Sequence, residues 1–488
     1  MCSLCLAEET APGGSDGVVL PEQLDLATAQ RIALEQNPSL QAVEARVQQA
    51  EARVHQARAA YFPRVDASVS GSKTWISETV YTNARNAAFG GALGGLQSIF
   101  YRLGDPNASS FIVPQLLITG YQALEARNAV DDSLDNYRAS FVATWLIFDG
   151  FGRNFSNRVA RYGARETEAA YQEAKRLLLS GVATSFYGAQ LAREDLEIAK
   201  ADEAFNQRQL TEAKARRRVG TGSLSDELNF EVRVNAARAA LIRAEQNYNV
   251  ALIGLGELLG QPEQLKPETI QLAALTPESP DALERPEPQA LTQSALEHRP
   301  EMAQSRYALQ RTGASVGLRR AEFFPKVTAS ASKDATRTTD LEFREDDFAT
   351  TVGVGVSYNL FAGGLNRARL TESKAARTEA ERNLKAAEDR VIADVQQAVE
   401  DLKAAQDELK LQTENAGYVQ RNRELVEKEY AAGQGSLVRL NQAQRDLVEA
   451  QGRLALARVS LRLAWYNLRS ATGETVSEGD MAPDGQAK

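Results

Sequence analysis

Hydrophobic and polar positions follow two periods along this chain, and the changeovers fall at fixed places. In RVDASVSGS, residues 64–72, Val65, Ala67, Val69 and Gly71 alternate with Asp66, Ser68, Ser70 and Ser72. KVTASAS sets Val327, Ala329 and Ala331 against Thr328, Ser330 and Ser332 in the same way. TVGVGVSYNLF opposes Val352, Val354, Val356, Tyr358 and Leu360 to Thr351, Gly353, Gly355, Ser357 and Asn359, and SFVATWLIF carries Phe141, Ala143, Trp145 and Ile147 on its matching face. A period of two predicts four strands, each with one wet face. Elsewhere the period is that of a helix. Leu384, Ala387, Val391, Val395, Val399, Leu402, Ala405 and Leu409 form one narrow apolar stripe, and residues 115–261 and 326–482 contain no proline. Long uninterrupted helices are expected, one over 366–430 with a return helix to 471.

The pattern occurs twice. AYFPRVDASVSGS at 60–72 matches EFFPKVTASASKD at 322–334, and ALEQNPSL at 33–40 matches ALEHRPEM at 295–302, both at an offset of 262. WLIFDGFG at 145–152 matches YNLFAGGL at 358–365, and VGTGSL at 219–224 matches AGQGSL at 432–437, now at an offset of 213. One unit is read as duplicated, at 24–260 and 289–473, with 49 extra residues in the first copy inside an insertion at 73–138. Residues 261–288 are proline-rich and are expected to be a linker. Residues 1–23 read as a signal remnant without structure, and 474–488 as a disordered tail.

Composition narrows the function. The net charge is −9 and no basic stripe is present, which argues against nucleic acid as a partner. No apolar run is long enough for a membrane helix, so a membrane-embedded form has to be a barrel. Cys2 and Cys5 are the only cysteines. Without a second pair they read as the tail of an export signal ending near Ala7, with lipid attachment as the alternative. His55 and His298 lie inside helical patterns with no acid pair, phosphate loop or metal spacing beside them, so no catalytic residue, metal or cofactor is expected and the chain is not read as an enzyme. A soluble sandwich accounts for the alternation by itself. Three features favour a membrane barrel: the apolar faces end in Tyr61, Trp145, Phe323 and Tyr358, the strands feed directly into long helices, and there are only four. Four strands cannot close alone, whereas three copies supply twelve.

The succession of NPSL, a long helix, YFPRVDASVS, a strand ending in FDGFGRN, a long helix, VGTGSL and a return helix, all duplicated, resembles the TolC family of outer-membrane efflux proteins over residues 24–473. The resemblance implies an α+β membrane protein: a homotrimer with a twelve-stranded barrel in outer-membrane lipid and a periplasmic α-helical coiled-coil barrel. It implies the exit duct of a tripartite efflux or type I secretion system, working with a periplasmic adaptor and an inner-membrane transporter. A periplasmic coiled-coil scaffold without a channel is the alternative, but it leaves the strands unused. Gly220, Thr221, Gly222 and Ser223, and Gly433, Gln434, Gly435 and Ser436, are expected to turn two helical hairpins, with positive φ at the glycines. The resemblance adds that these tips form the periplasmic entrance and dock the adaptor. Relatives carry acidic residues shortly after the inner tip, where this chain has Arg439 and Gln442; Asp226 is the first-copy counterpart of Arg439, and an ion pair between the two across neighbouring hairpins is one expectation. Arg216, Arg217 and Arg218 read as a solvated helix face or as an adaptor contact. The insertion is expected beyond the outer end of the barrel, either as a surface loop or as a cover in which Phe89, Leu93, Leu96, Ile99, Phe100 and Tyr101 narrow the exit.

Overall fold

The computed structural model describes residues 21, 23–94, 109–129, 131–268, 270–275, 283–338 and 340–475. In chain order the elements are β1 (Gln23–Leu24), α1 (Leu26–Gln36), α2 (Pro38–Ala59), β2 (Arg64–Trp75), α3 (Glu78–Leu93), α4 (Ser109–Asn128), β3 (Ser133–Phe148), α5 (Gly152–Arg218), α6 (Leu224–Leu258), β4 (Gln271–Leu272), α7 (Pro288–His298), α8 (Pro300–Ala321), β5 (Lys326–Arg337), β6 (Phe348–Ser357), α9 (Leu365–Ala431) and α10 (Leu437–Thr472). An offset of 262 carries α1, α2 and β2 onto α7, α8 and β5, and an offset of 213 carries α5 onto α9. NPSL and RPEM act alike: each ends one helix and starts the next at a proline, which has no N–H to give and is pre-set for a first helical position. At the first break the Asn37 carboxamide oxygen accepts from the Ser39 and Leu40 amides at 2.9 and 3.2 Å.

The described chain falls into two compact units, of which one is drawn from Gln56–Asn154 and Gly317–Arg369. It holds a four-stranded antiparallel sheet in the order β2-β3-β5-β6. Val65 lies opposite Ala143, Ala143 opposite Ala331, and Ala331 opposite Val352. Directly opposed residues share a face, so that row is apolar across the whole sheet. The next row is Asp66, Val142, Ser332 and Thr351, and beyond it Ser140 donates through its hydroxyl to Asp334 at 2.5 Å. β2 and β6 are the edges, and among the described residues neither outer edge has a partner strand.

Two expectations need correction here. Tyr358 and Leu360 lie beyond β6, which stops at Ser357. The reason is visible in β3: its pairing with β2 ends at Thr144, and its last residues stay extended only because β5 continues to pair with them as far as Phe148. Residues 358–361 have no such second neighbour. The insertion is also narrower than 73–138 and is helical, because β2 reaches Trp75 and β3 starts at Ser133, directly opposite it. The inserted residues 76–132 contain α3 packed on α4. The Ile76 amide donates to the Asp132 carbonyl at 3.0 Å, carrying the ladder one step past the strands.

The other unit is built on the long helices. α5 and α9 each have 67 residues, on the order of 100 Å at 1.5 Å per residue. The stripe expected on α9 is its core: Val391, Val395, Val399 and Leu402 are fully buried against Ala457, Leu461, Ala464 and Leu468 of α10 and Met302 of α8. Each such Val or Leu contributes roughly 1.5–3 kcal/mol by leaving water. The first-copy equivalent gathers Val182, Phe186 and Ala189 with Tyr248, Leu252 and Leu255. The proline-rich segment is more than a linker, and this too corrects the sequence reading. Its Leu265, Ile270 and Leu272 enter that first core, and β4 pairs in parallel with β1, which also draws Gln23 out of the leading segment. Six prolines mask the signal, yet three apolar side chains suffice to anchor the segment once Gln190 donates to the Ala273 carbonyl at 2.7 Å. No helix among the described residues is long and apolar enough to cross a membrane.

Candidate functional site

The two hairpin tips form by the same local chemistry. At the first, the amides of Thr221 and Gly222 donate to the Arg216 carbonyl at 3.0 and 3.1 Å; at the second, those of Gln434 and Gly435 donate to the Glu429 carbonyl at 2.9 and 3.1 Å. Ser223 and Ser436 then cap α6 and α10, their hydroxyls accepting from the Ser225 and Arg439 amides. Only the first glycine of each pair is left-handed, Gly220 at φ 81° and Gly433 at φ 74°. Gly222 and Gly435, expected to share that conformation, are needed for space instead: a Cβ there would stand 2.8 Å from the Arg217 nitrogen or 2.9 Å from the Tyr430 nitrogen. Beside the turns, Val219 and Val438 are 73% and 75% exposed.

Just above the tips the two hairpins are fastened to each other. Tyr430 of α9 packs edge-on against Phe230 of α6, centroids 6.4 Å apart, and the Arg216 guanidinium of α5 lies 5.3 Å from its ring centroid. Asn441 donates to Asn229 at 3.0 Å, Gln444 donates to Asp202 at 2.7 Å, and Arg423 lies 4.5 Å over the Phe205 ring. Phe205, Leu210, Ala213, Phe230 and Val234 share one core with Val426, Leu440 and Ala443. Burial, seconded by the Asp226 carboxylate, pushes the Tyr430 phenol above its usual range. Within the chain Arg439 meets Glu429 at 3.3 Å rather than Asp226. Gln442 donates to Asp446 at 2.6 Å and accepts from Arg445. Arg217 of the basic run pairs with Glu227 at 2.9 Å. The motifs single out the turns and miss this fastening; the signal for it is the placement of Phe205, Phe230 and Tyr430 near hairpin ends in a chain with 7% aromatics.

The sheet unit carries a second constellation, at the end where β2 and β5 begin and β3 and β6 finish. Trp145 donates its indole N–H to the Tyr61 carbonyl at 3.0 Å, and the Tyr61 hydroxyl donates to Asn154 at 2.7 Å beneath Arg153. Trp145, Phe323 and Tyr358 are exposed, and so are Phe62, Phe151, Phe324, Leu360 and Phe361 at the same end. Phe62, Phe151, Phe324 and Phe361 escape a reading by strand alternation because they fall in the turns. In the insertion, Phe89 is half-buried beneath Arg127 and Leu93 is half-buried as well, while Leu96, Ile99, Phe100 and Tyr101 lie outside the described residues. Among its described side chains, α4 exposes the apolar Leu116, Leu117, Ile118, Tyr121 and Leu124. Among the described residues no group of acidic, His or Cys side chains is arranged to hold a metal.

Comparison with known proteins gives a consistent picture. A family model described as outer membrane efflux protein matches residues 30–101, 108–261 and 291–474. The pyoverdine export outer membrane protein OpmQ of Pseudomonas aeruginosa is 29% identical over 350 residues, 71% of this chain and 70% of that protein. The outer membrane protein TolC of Vibrio cholerae is 25% identical over 399 residues, 77% of this chain and 85% of its own. In fold, the crystal structure of the Campylobacter jejuni CmeC outer membrane channel superposes with a TM-score of 0.74 at 15% identity, over 94% of this chain and 90% of that one.

Proposed function

The chain belongs to the outer membrane efflux protein family, and on that premise we propose that three copies form a channel serving as the exit duct of a tripartite efflux or type I secretion system. The observation that carries this is the sheet: four strands with one mainly apolar face, broken by Lys333 and Thr350, one mainly polar face and, among the described residues, two open edges. In hydrocarbon each unpaired backbone group costs several kcal/mol, so such a sheet has to close, and three copies give a twelve-stranded barrel of ordinary size with lipid outside and water inside. The aromatic residues at one end, Tyr61, Trp145, Phe323 and Tyr358 among them, then sit at the lipid–water interface. The helical unit works in the periplasm, and the duplicated element order comes from one unit used twice.

The tips at Gly220–Ser223 and Gly433–Ser436 are read as the periplasmic entrance, with Asp226, Arg439 and Gln442 lining it. Arg439 in place of an acidic residue makes the entrance less attractive to cations. The exposed Val219 and Val438 fit the apolar tips of a periplasmic adaptor, which in turn engages an inner-membrane transporter. Passage through such a duct needs no catalysis. Purified from detergent-extracted outer membrane, the protein is expected to have the mass of a trimer in mild detergent and to give stepwise conductance in planar bilayers. Recovery as a stable monomer with native strand content, or a trimer without conductance, overturns the reading.

A further inference from the structure

We propose that the exposed face of α4 is an interface with the α4 of other copies: three such helices, one from each chain, pack together across the exit beyond the outer end of the barrel, with the three α3 helices around them. The proposal rests on the assembly reading above and adds a contact that the strands do not make.

The helix has two unlike sides. Thr119, Gly120, Ala123 and Ala126, small residues at helical spacing, are buried or half-buried, and α3 is the element that packs on α4. Near the base the pair is tied by Arg85, which donates to Asn128 at 3.4 Å, and by the Arg127 guanidinium 5.9 Å from the Phe89 ring centroid. At about 100° per residue the large residues Leu117, Tyr121 and Leu124 fall away from Ala123. They are spaced four and three apart, as in a seam of knobs packed into holes. A surface helix turns charged and polar side chains to water. α4 has no charged residue from Ser109 to Leu124, and Leu117, Ile118, Tyr121 and Leu124 are 50% to 70% exposed. The outer side of α3 is the wet one: apart from Val80 it exposes Glu78, Thr79, Thr82, Asn83 and Asn86. The helical pair is therefore amphipathic as a unit, with α4 forming its apolar side.

Three observations name the occupant of that side. First, α3 and α4 pack on each other and make no packing of that extent with any strand. A helix sunk in the bilayer beside the barrel would rest on the apolar face of its own sheet. Second, charge divides α4 from that face. Glu125, Arg127, Asp131 and Asp132 follow the uncharged stretch, and Lys73 meets Asp135 at 3.8 Å near the strand ends; hydrocarbon is a costly place for such a neck. Third, the number fits. The second half joins β5 to β6 through residues 338–347, which carry Asp340, Glu342, Glu345, Asp346 and Asp347 and no comparable helix. Each chain thus brings one apolar helix, and three-fold assembly sets three equivalent faces around one axis. The reach suffices as well. Twelve strands about 4.8 Å apart and tilted about 40° close at a radius of about 12 Å, whereas the 20 residues of α4 span about 30 Å.

Leu117→Cys, in a chain whose Cys2 and Cys5 are replaced by Ser, tests the contact. Leu117 is 70% exposed, so the change leaves the packing of α4 on α3 intact. Each variant is first weighed in mild detergent without oxidant. On mild oxidation the Leu117→Cys trimer is expected to give covalent dimers, because two of three thiols around an axis can pair. Asn83→Cys, on the wet side of α3, is expected to give none. Cross-linking at both positions, or at neither, overturns the contact and leaves the channel reading standing. A fluorophore attached at the Leu117→Cys thiol is expected to keep its emission in vesicles of brominated phospholipid; quenching there would put lipid over α4 and overturn the proposal. Leu117→Asp with Tyr121→Asp is expected to part the three helices and raise single-channel conductance at unchanged trimer mass, and parental conductance would take the contact off the exit path and overturn it too. A monomeric mass in the parent removes the assembly reading along with this one.

Discussion

Tyr430 shows how much one side chain decides at the hairpin ends. It touches Phe230 from one hairpin and Arg216 from beside its turn, and its phenol is partly buried next to Asp226. Removing the ring forfeits an aromatic pair and a cation–π contact, together about 1–3 kcal/mol at a half-buried site. Tyr430→Ala is expected to loosen the two hairpins from each other and raise single-channel conductance, while Tyr430→Phe, which keeps both ring contacts, should match the parent. Equal conductance in all three would mean that the fastening plays no part in the entrance. Tyr466 makes a different prediction. Burial raises its phenol to about 12, against the lowering effect of the hydrogen bond donated by Gln30 at 2.8 Å. Because the folded value lies above the unfolded one, its contribution is complete below pH 10 and is lost as pH climbs towards 12. Tyr466→Phe should cost about 1 kcal/mol at neutral pH through the lost hydrogen bond, and its thermal stability should fall less steeply than the parent's across that alkaline window.

Whole elements were legible where local chemistry alone determines them. The α9 stripe and the strand alternation follow from spacing, and the structure keeps the stripe throughout and the alternation as far as Ser357 in the last strand. What the spacing misses depends on partners distant in the chain: β4 is a strand because β1 offers it an edge, and 358–361 are not a strand because no second neighbour is present. The insertion sits between these cases. α4 carries no charge from Ser109 to Leu124 and leaves Leu117, Ile118, Tyr121 and Leu124 exposed, so its solvent face is poorly suited to water. The second copy makes the same strand connection with residues 338–347, ten against fifty-seven. Replacing residues 76–132 by that short connection should therefore leave trimer assembly and membrane insertion intact. If α3 and α4 cover the mouth, open conductance and antibiotic entry rise; if neither changes, the helical pair is a surface appendage.

At the scale of the whole molecule, the proposed function assigns conduction and docking to different residues of the chain, which makes the two separable by experiment. The proposed channel assigns the bilayer contacts to the sheet unit and the tips at Val219–Ser223 and Gly433–Val438 to the helical unit. The sequence reading found the tips through their glycines, but Val219 and Val438 stand out only in the structure, since an apolar residue beside a turn is ordinary until its side chain is seen to have no cover. If these valines meet an adaptor, a charge there is harmless in the free protein and damaging in the complex, where it would be buried without a partner. Val219→Asp combined with Val438→Asp is thus expected to leave trimer mass and bilayer conductance at parental values. In cells carrying the cognate adaptor and transporter, the same variant should lower efflux at least tenfold and abolish cross-linking between channel and adaptor. Unimpaired efflux would move the docking surface away from the tips, and lost conductance would show that the tips shape the pore itself.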